Sequence, residues 1–332
     1  MREQEFIDGM KSPSLGGKPE FFKQEKIRSL FFVYGFLVVL LPAAQIISPG
    51  FLSLNHMDNV LRQAAFLGIV SIGQTFVILT GGIDLSVGSI ITFSNIVSAQ
   101  IMFGMDSNVP AAFLAILAIG LAVGLLNSVG ILFLRISPMV MTLATSGVLR
   151  GIALIYSKGA PKGQTAPFIQ YLSTGRIGGA VSVIIVLWVI LSVITITALR
   201  KTIFGRNVYL IGTNALAARY SGINTALTTI SVYTIAALMS SLIGMLLVGY
   251  TNTSYISAGD IYTMNSIAAV VIGGTSIMGG NGGYAGTIAG SVIMVVIVSL
   301  LTIVRIPESG RLIVQGVLII LLVLLYSRQK SR

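Results

Sequence analysis

The chain has 332 residues, of which 55% are hydrophobic and 9% charged, and its mean hydropathy is +0.93. A soluble domain carries about 25% charged residues, so a water-soluble globule is excluded and membrane spans become the unit to count. The net charge of +11 falls in clusters between apolar runs, as basic loops beside an anionic leaflet do, and so implies a lipid bilayer and no nucleic acid as partner.

Cysteine is absent and His56 is the one histidine. This excludes a disulfide framework, a thiolate metal site, a cysteine nucleophile and a multi-histidine metal centre. His56, between Asn55 and Asp58, reads as an ordinary loop residue.

Residues 1–28 mix Lys, Arg, Glu and Asp without the short apolar run of a cleavable leader, and read as a cytoplasmic tail. A helix needs about 20 mostly apolar residues to cross the hydrocarbon. Charge-free intervals of sufficient length run from Ser29 to Met57, Gln63 to Ile83, Leu85 to Met105 and Ser107 to Leu134. A weaker candidate lies between Ser137 and Tyr156, where Pro138 suits a first helical turn and Arg150 argues against full lipid exposure. Further intervals run from Ile177 to Leu199 and from Tyr220 to Gly259. The stretch from Ile261 to Val304 holds two spans with a Gly-rich turn between Gly279 and Gly283. A last span runs from about Leu312 to Tyr326, ahead of a short cytoplasmic tail at 328–332.

The expected fold is thus an all-α integral membrane protein with about ten transmembrane helices over 29–327. Basic residues orient it. One side carries the Lys and Arg up to Arg28, then Arg135, Arg200, Lys201, Arg206, Arg219, Arg328, Lys330 and Arg332. The other has only Arg62, Lys158, Lys162, Arg176, Arg305 and Arg311. The excess places both termini in the cytoplasm.

Three segments stand out. The first is Gly81, Gly82, Ile83, Asp84, Leu85, Ser86, Val87, Gly88, Ser89, at the junction of two apolar runs. An ionised Asp at the centre of a membrane helix costs about 2.5 to 3.5 kcal/mol on insertion scales, and a turn avoids most of that cost. Asp84 or Ser86 can accept backbone N–H bonds at the start of the next helix, and the same cap can fix a mobile or path-lining segment. The second is the cytoplasmic loop 200–223, with Gly205, Arg206 and Gly212. There Asn214 is a good N-cap, Ala215 to Tyr220 favour helix, and Gly222 is a good stop. The third is a Gly-rich hinge comprising Gly273, Gly274, Gly279, Gly280 and Gly283. Like the Gly81–Gly82 turn it joins two adjacent spans entered in the same direction, which is compatible with a parallel internal repeat.

Taken together, GGIDLSVGS, GRNVYLIGTNALAARYSGI and AAVVIGGTSIMGGNGGYAGTIAG resemble the permeases of the ribose, xylose, galactose and autoinducer-2 class of bacterial ABC importers, in register from about Phe51 to Tyr326. The resemblance implies an inner-membrane permease that pairs with a second permease copy or a similar permease. It would receive a monosaccharide or small polyol from a periplasmic sugar-binding protein and be driven by a cytoplasmic ABC ATPase. Residues Gly205 to Gly222 then look like the segment docking into that ATPase, with Ala217, Ala218 and Gly222 matching its spacing. Leu216 departs from the pattern, since the family usually has Glu there. Ser137, Pro138 and Met139 depart where relatives usually show Pro and Phe.

No phosphate-loop signature G-x-x-x-x-G-K-[ST] occurs. ATP and Mg would therefore be used by the partner ATPase, with no cofactor, metal or catalytic residue on this chain. The rival is a secondary transporter coupled to an ion, for which Asp84 and Arg150 are the only intramembrane ionisable groups on offer. A third possibility is a membrane scaffold with no cargo.

Overall fold

The computed structural model describes residues 19–317, and within them every long element is a helix. The helices α1 (Pro19–Ile47), α2 (Leu54–Leu79), α3 (Val87–Met102), α4 (Val109–Leu132) and α5 (Pro138–Ser157) follow one another through short turns. A short helix α6 (Pro167–Thr174) and a hairpin of β1 (Arg176–Ile177) with β2 (Val181–Ser182) lead into α7 (Val183–Lys201). The helices α8 (Ile203–Thr213) and α9 (Ala215–Tyr220) precede α10 (Thr225–Thr251), α11 (Asp260–Ile272) and α12 (Tyr284–Ile303).

Among the described residues 7 helices are long and apolar enough to cross a membrane: α1, α2, α4, α5, α7, α10 and α12. The other two expected spans, α3 and α11, are apolar but shorter. The last expected span, to Tyr326, falls mostly outside the described residues, as do most of the tail 1–28 and all of 328–332. The doubtful segment is a helix after all, and Pro138 stands in its first turn.

Helices α2 and α10 form the centre and are buried for most of their length. Around them pack α3, α4, α11 and α12, while α1, α5 and α7 turn apolar side chains such as Val38, Val148 and Val193 outward. Lipid tails are as apolar as leucine, so burial of apolar surface cannot drive this assembly and close backbone approach does. Gly73 on α2 shows the principle: a Cβ there would overlap Ala236 on α10.

The hairpin marks one face of the bundle, and the α8–α9 segment marks the other. On the hairpin face Asp58 accepts from Ser182 Oγ at 2.7 Å and pairs with Arg62 at 2.8 Å and Arg176 at 2.7 Å. Asp58 and Arg62 lie on α2, which begins at Leu54, well before the charge-free interval at Gln63, while Arg176 lies on β1. His56 is helical rather than in a loop, because α2 starts at Leu54; its ring lies against Phe51 and within 3.2 Å of Ser299 Oγ.

This arrangement has a direct check in a chain with no native thiol. Ala180→Cys on the hairpin and Tyr220→Cys at the end of α9, both exposed positions, should react with a membrane-impermeant maleimide from opposite sides of the bilayer. Reaction of both from one side would contradict the fold.

Candidate functional site

Helix α3 has 16 residues and α11 has 13, or about 24 and 20 Å at 1.5 Å per residue, short of a hydrocarbon core of about 30 Å. Each follows a stretch of irregular backbone, at 80–86 and 252–259. Helix α3 runs toward the hairpin face and α11 toward the α8–α9 face, and their N-termini meet inside the bundle. The first N–H groups of a helix lack intrahelical partners, and here each helix supplies them to the other. Gly88 N–H donates to Thr263 Oγ1 at 3.0 Å, and Gly259 N–H donates to Thr92 Oγ1 at 3.0 Å. A Cβ on either glycine would overlap the backbone of the other.

The sequence carries a signal for this crossing that composition alone hides. Ser86-Val87-Gly88-Ser89-Ile90-Ile91-Thr92 and Ser257-Ala258-Gly259-Asp260-Ile261-Tyr262-Thr263 share Ser, Gly, Ile and Thr at the same spacing. The two copies point in opposite directions, as in a local inverted repeat, whereas the Gly-rich turns noted above are entered in the same direction.

Irregular backbone at membrane depth must be satisfied by protein or water. Leu85 N–H donates to Thr142 Oγ1 at 3.0 Å, and Tyr255 N–H donates to Asn95 Oδ1 at 3.2 Å. Asp84 is fully buried. Its Oδ1 accepts from Ser86 N–H at 2.8 Å and Ser86 Oγ at 2.5 Å, which closes the turn into α3. The chain of bonds continues from Asn127 Nδ2 to Ser86 Oγ at 3.1 Å and from Thr145 Oγ1 to Asn127 Oδ1 at 2.7 Å. Asp84 Oδ2 and Tyr233 Oη are buried without a hydrogen-bond partner among the described residues, and Gly82 lies against that Tyr233 hydroxyl.

The three motif regions converge on the α8–α9 face. Gly280 N–H donates to Leu79 O at 2.9 Å, joining the two Gly-rich turns. Gly212, near the end of α8, sits where a Cβ would overlap both Leu79 O and Gly280 N. Gly279 packs beside Gly81 and Gly212 with a φ of +82°, and Gly280 has a φ of +74°. Gly274 N–H returns to Val271 O and Gly283 N–H donates to Thr275 Oγ1 at 3.2 Å, while Gly273 lies against Gly286 of α12. Tyr209 Oη donates to Gly282 O at 3.0 Å; burial pushes its phenol above the ordinary value, offset in part by Arg200, and so keeps the donor protonated.

Within the segment itself, Gly205 N–H donates to the Thr202 cap at 3.1 Å and Arg206 is exposed. Asn214 Oδ1 accepts from Leu216 and Ala217 N–H at 3.1 and 2.9 Å, so it caps α9 as its sequence implies. Ala218 is buried, and Gly222 ends the helix with a φ of +82°. The shared spacing of Gly88 and Thr92 with Gly259 and Thr263 gains meaning only where the two segments meet, and Asn127 and Thr145 stand isolated in apolar runs with no pattern of their own.

Seven helices long and apolar enough to span, two shorter opposed helices and a buried polar network describe a polytopic membrane protein organised around a crossing inside the bundle. The chain belongs to the family described as branched-chain amino acid transport system / permease component, whose model matches residues 56–323. It is 34% identical over 301 residues to the ribose import permease protein of Escherichia coli (strain K12), covering 89% of this chain and 92% of that one. It is 38% identical over 315 residues to the ribose import permease protein of Bacillus subtilis (strain 168), covering 89% and 91%. The galactose/methyl galactoside import permease protein of Haemophilus influenzae is 30% identical over 317 residues, covering 90% and 94%. No solved structure matches the chain.

The reciprocal caps make a symmetrical prediction. Thr92→Val and Thr263→Val keep the shape but each leave one buried N–H unpaired, at a cost of about 1 to 3 kcal/mol. Both should lower the thermal midpoint in detergent by similar amounts, with faster amide exchange at Gly259 and Gly88 respectively. A neutral effect of both substitutions would show that the caps do not hold the crossing.

Proposed function

We propose that the chain is the pore-forming permease subunit of an ATP-driven importer in the bacterial inner membrane, carrying a neutral monosaccharide or similar small polyol. Family membership supports the permease role, and relatives named for ribose and galactose/methyl galactoside import support the sugar class. In this reading ten helices span the bilayer and both termini are cytoplasmic. The chain pairs with a second permease, receives sugar from a periplasmic binding protein, and binds no cofactor, ATP and Mg being used by the partner ATPase.

The observation that carries the mechanism is Gly212 lodged between Leu79 O and Gly280 N. A push on the α8–α9 segment by an ATPase is delivered to both turns at once. One turn leads into α3 and the other links α11 to α12, so the push reaches both partners of the crossing without an intervening flexible chain. Exposed Leu216 and Tyr220 give α9 an apolar docking surface, which suits the replacement of the family's usual Glu. Ala218→Asp puts a charge where a small buried side chain sits, and Gly222→Pro is incompatible with a φ of +82°. Each should abolish ATP-dependent uptake while membrane insertion persists; wild-type uptake with retained ATPase binding would rule out this coupling route.

A second reading, an ion-coupled transporter, draws on the buried Asp84 with its unpartnered Oδ2. The two readings diverge at one substitution. If Asp84 acts as a cap, Asp84→Asn still accepts the Ser86 bonds through its carbonyl oxygen and keeps substantial uptake, while Asp84→Leu loses most of it. If Asp84 carries a proton, Asp84→Asn folds and is inactive, and wild-type uptake stops when the proton gradient is collapsed at constant ATP.

A further inference from the structure

The Arg150–Asp260 ion pair is where the charge pattern and the fold disagree most. Arg150 Nη2 lies 2.6 Å from Asp260 Oδ1, and the two side chains are 56% and 44% exposed. Two rulers place the pair deep in the membrane. Arg150 precedes the end of α5 at Ser157 by about 10 Å. Asp260 follows Gly259, which is bonded to Thr92, itself about 15 Å short of the end of α3 at Met102. Among the described residues these are the only exposed charged side chains at such depth; α7 at the same depth turns Val189, Ile190 and Val193 outward.

Hydrocarbon cannot be what faces an exposed ion pair, because both charges would be desolvated with only one contact between them. A stripe on α5 leads to the pair. Thr142 accepts from Leu85 N–H, Ser146 Oγ lies 2.6 Å from Ser89 Oγ, and Arg150 reaches Asp260. These positions are spaced by four residues and share one helix face. The stripe runs from the buried turn at Asp84 outward to the exposed pair.

We infer that the Arg150–Asp260 pair stands on the wall of the water-filled path between two facing permease copies and is a mid-membrane contact for the hydroxyls of the passing sugar. This deepens the importer reading and rests on it. The chemistry suits a neutral polyol. The pair has no net charge, so it gives an ionic solute no advantage. A guanidinium has five N–H donors and a carboxylate has lone pairs beyond the one contact made here. A sugar hydroxyl both donates and accepts, so it can bond to either partner without breaking the pair.

The test uses the intact complex of permease, ATPase and binding protein in proteoliposomes, with the negatively charged reagent methanethiosulfonate ethylsulfonate. Gly147→Cys and Met264→Cys replace exposed neighbours of Arg150 and Asp260, with Val193→Cys on the outer face of α7 as control. A thiol reacts as thiolate, which needs water. The first two should label about tenfold faster than the control, and labelling should block uptake. Arg150→Gln and Asp260→Asn should each slow uptake by about tenfold while leaving ATPase binding and the labelling of Gly147→Cys unchanged. Labelling no faster than the control in every nucleotide state would overturn the inference. So would oxidative cross-linking of Gly147→Cys between two copies without labelling, because that describes a dry interface. The labelling contrast is read without transport, so it stands or falls separately from the importer reading, which fails instead if the unmodified chain gives no ATP-dependent uptake.

Discussion

The exchange of backbone caps between α3 and α11 is the constraint on which the rest of the structure depends. Two helices that begin inside the bundle leave N–H groups and irregular backbone where water is scarce, and each such group costs about 1 to 3 kcal/mol if unpaired. Gly88 and Gly259 allow the two backbones to touch, and Thr92 and Thr263 then accept the N–H bonds. Neither half-helix is satisfied without the other. The crossing therefore forms as a unit, and displacing one partner must displace or uncap the second.

The surrounding polar groups follow from that crossing. The turn into α3 needs its own acceptors, which Asp84 and Thr142 provide, and Asn127 and Thr145 extend the network to α4 and α5. Acidic side chains beside the two N-termini, Asp84 and Asp260, complement the positive ends of the helix dipoles. Asp260 does so while holding Arg150. Asp84, Arg150 and Asp260 thus gather around one feature of the fold, away from the charges of the two faces.

On the α8–α9 face the glycines act through contact rather than flexibility. Gly212, Gly279 and Gly280 let three backbone segments lie side by side with a hydrogen bond from Gly280 to Leu79 across the seam. No side chain of Gly212, Gly279 or Gly280 stands between these segments, so the backbones are in direct contact. The same region holds Tyr209 on the Gly282 carbonyl, which ties α8 to the hinge at a second point.

Much of this was legible in the sequence where the physics is local. Apolar runs marked the 7 helices long enough to cross a membrane, Pro138 marked the start of α5, and Asn214 with Gly222 marked both ends of α9, because each depends on composition or on bonds to the next few residues. Asp84 or Ser86 likewise read as the acceptor in that turn, and Asp84 is the one that accepts, from Ser86 N–H. The tertiary structure alone decided that the spans at α3 and α11 stop short and meet, that Gly212 lies between Leu79 and Gly280, and that Arg150 has a partner 110 residues away. These outcomes rest on contacts between distant segments, where a glycine or threonine matters only for what lies opposite it, and no local pattern records what that is.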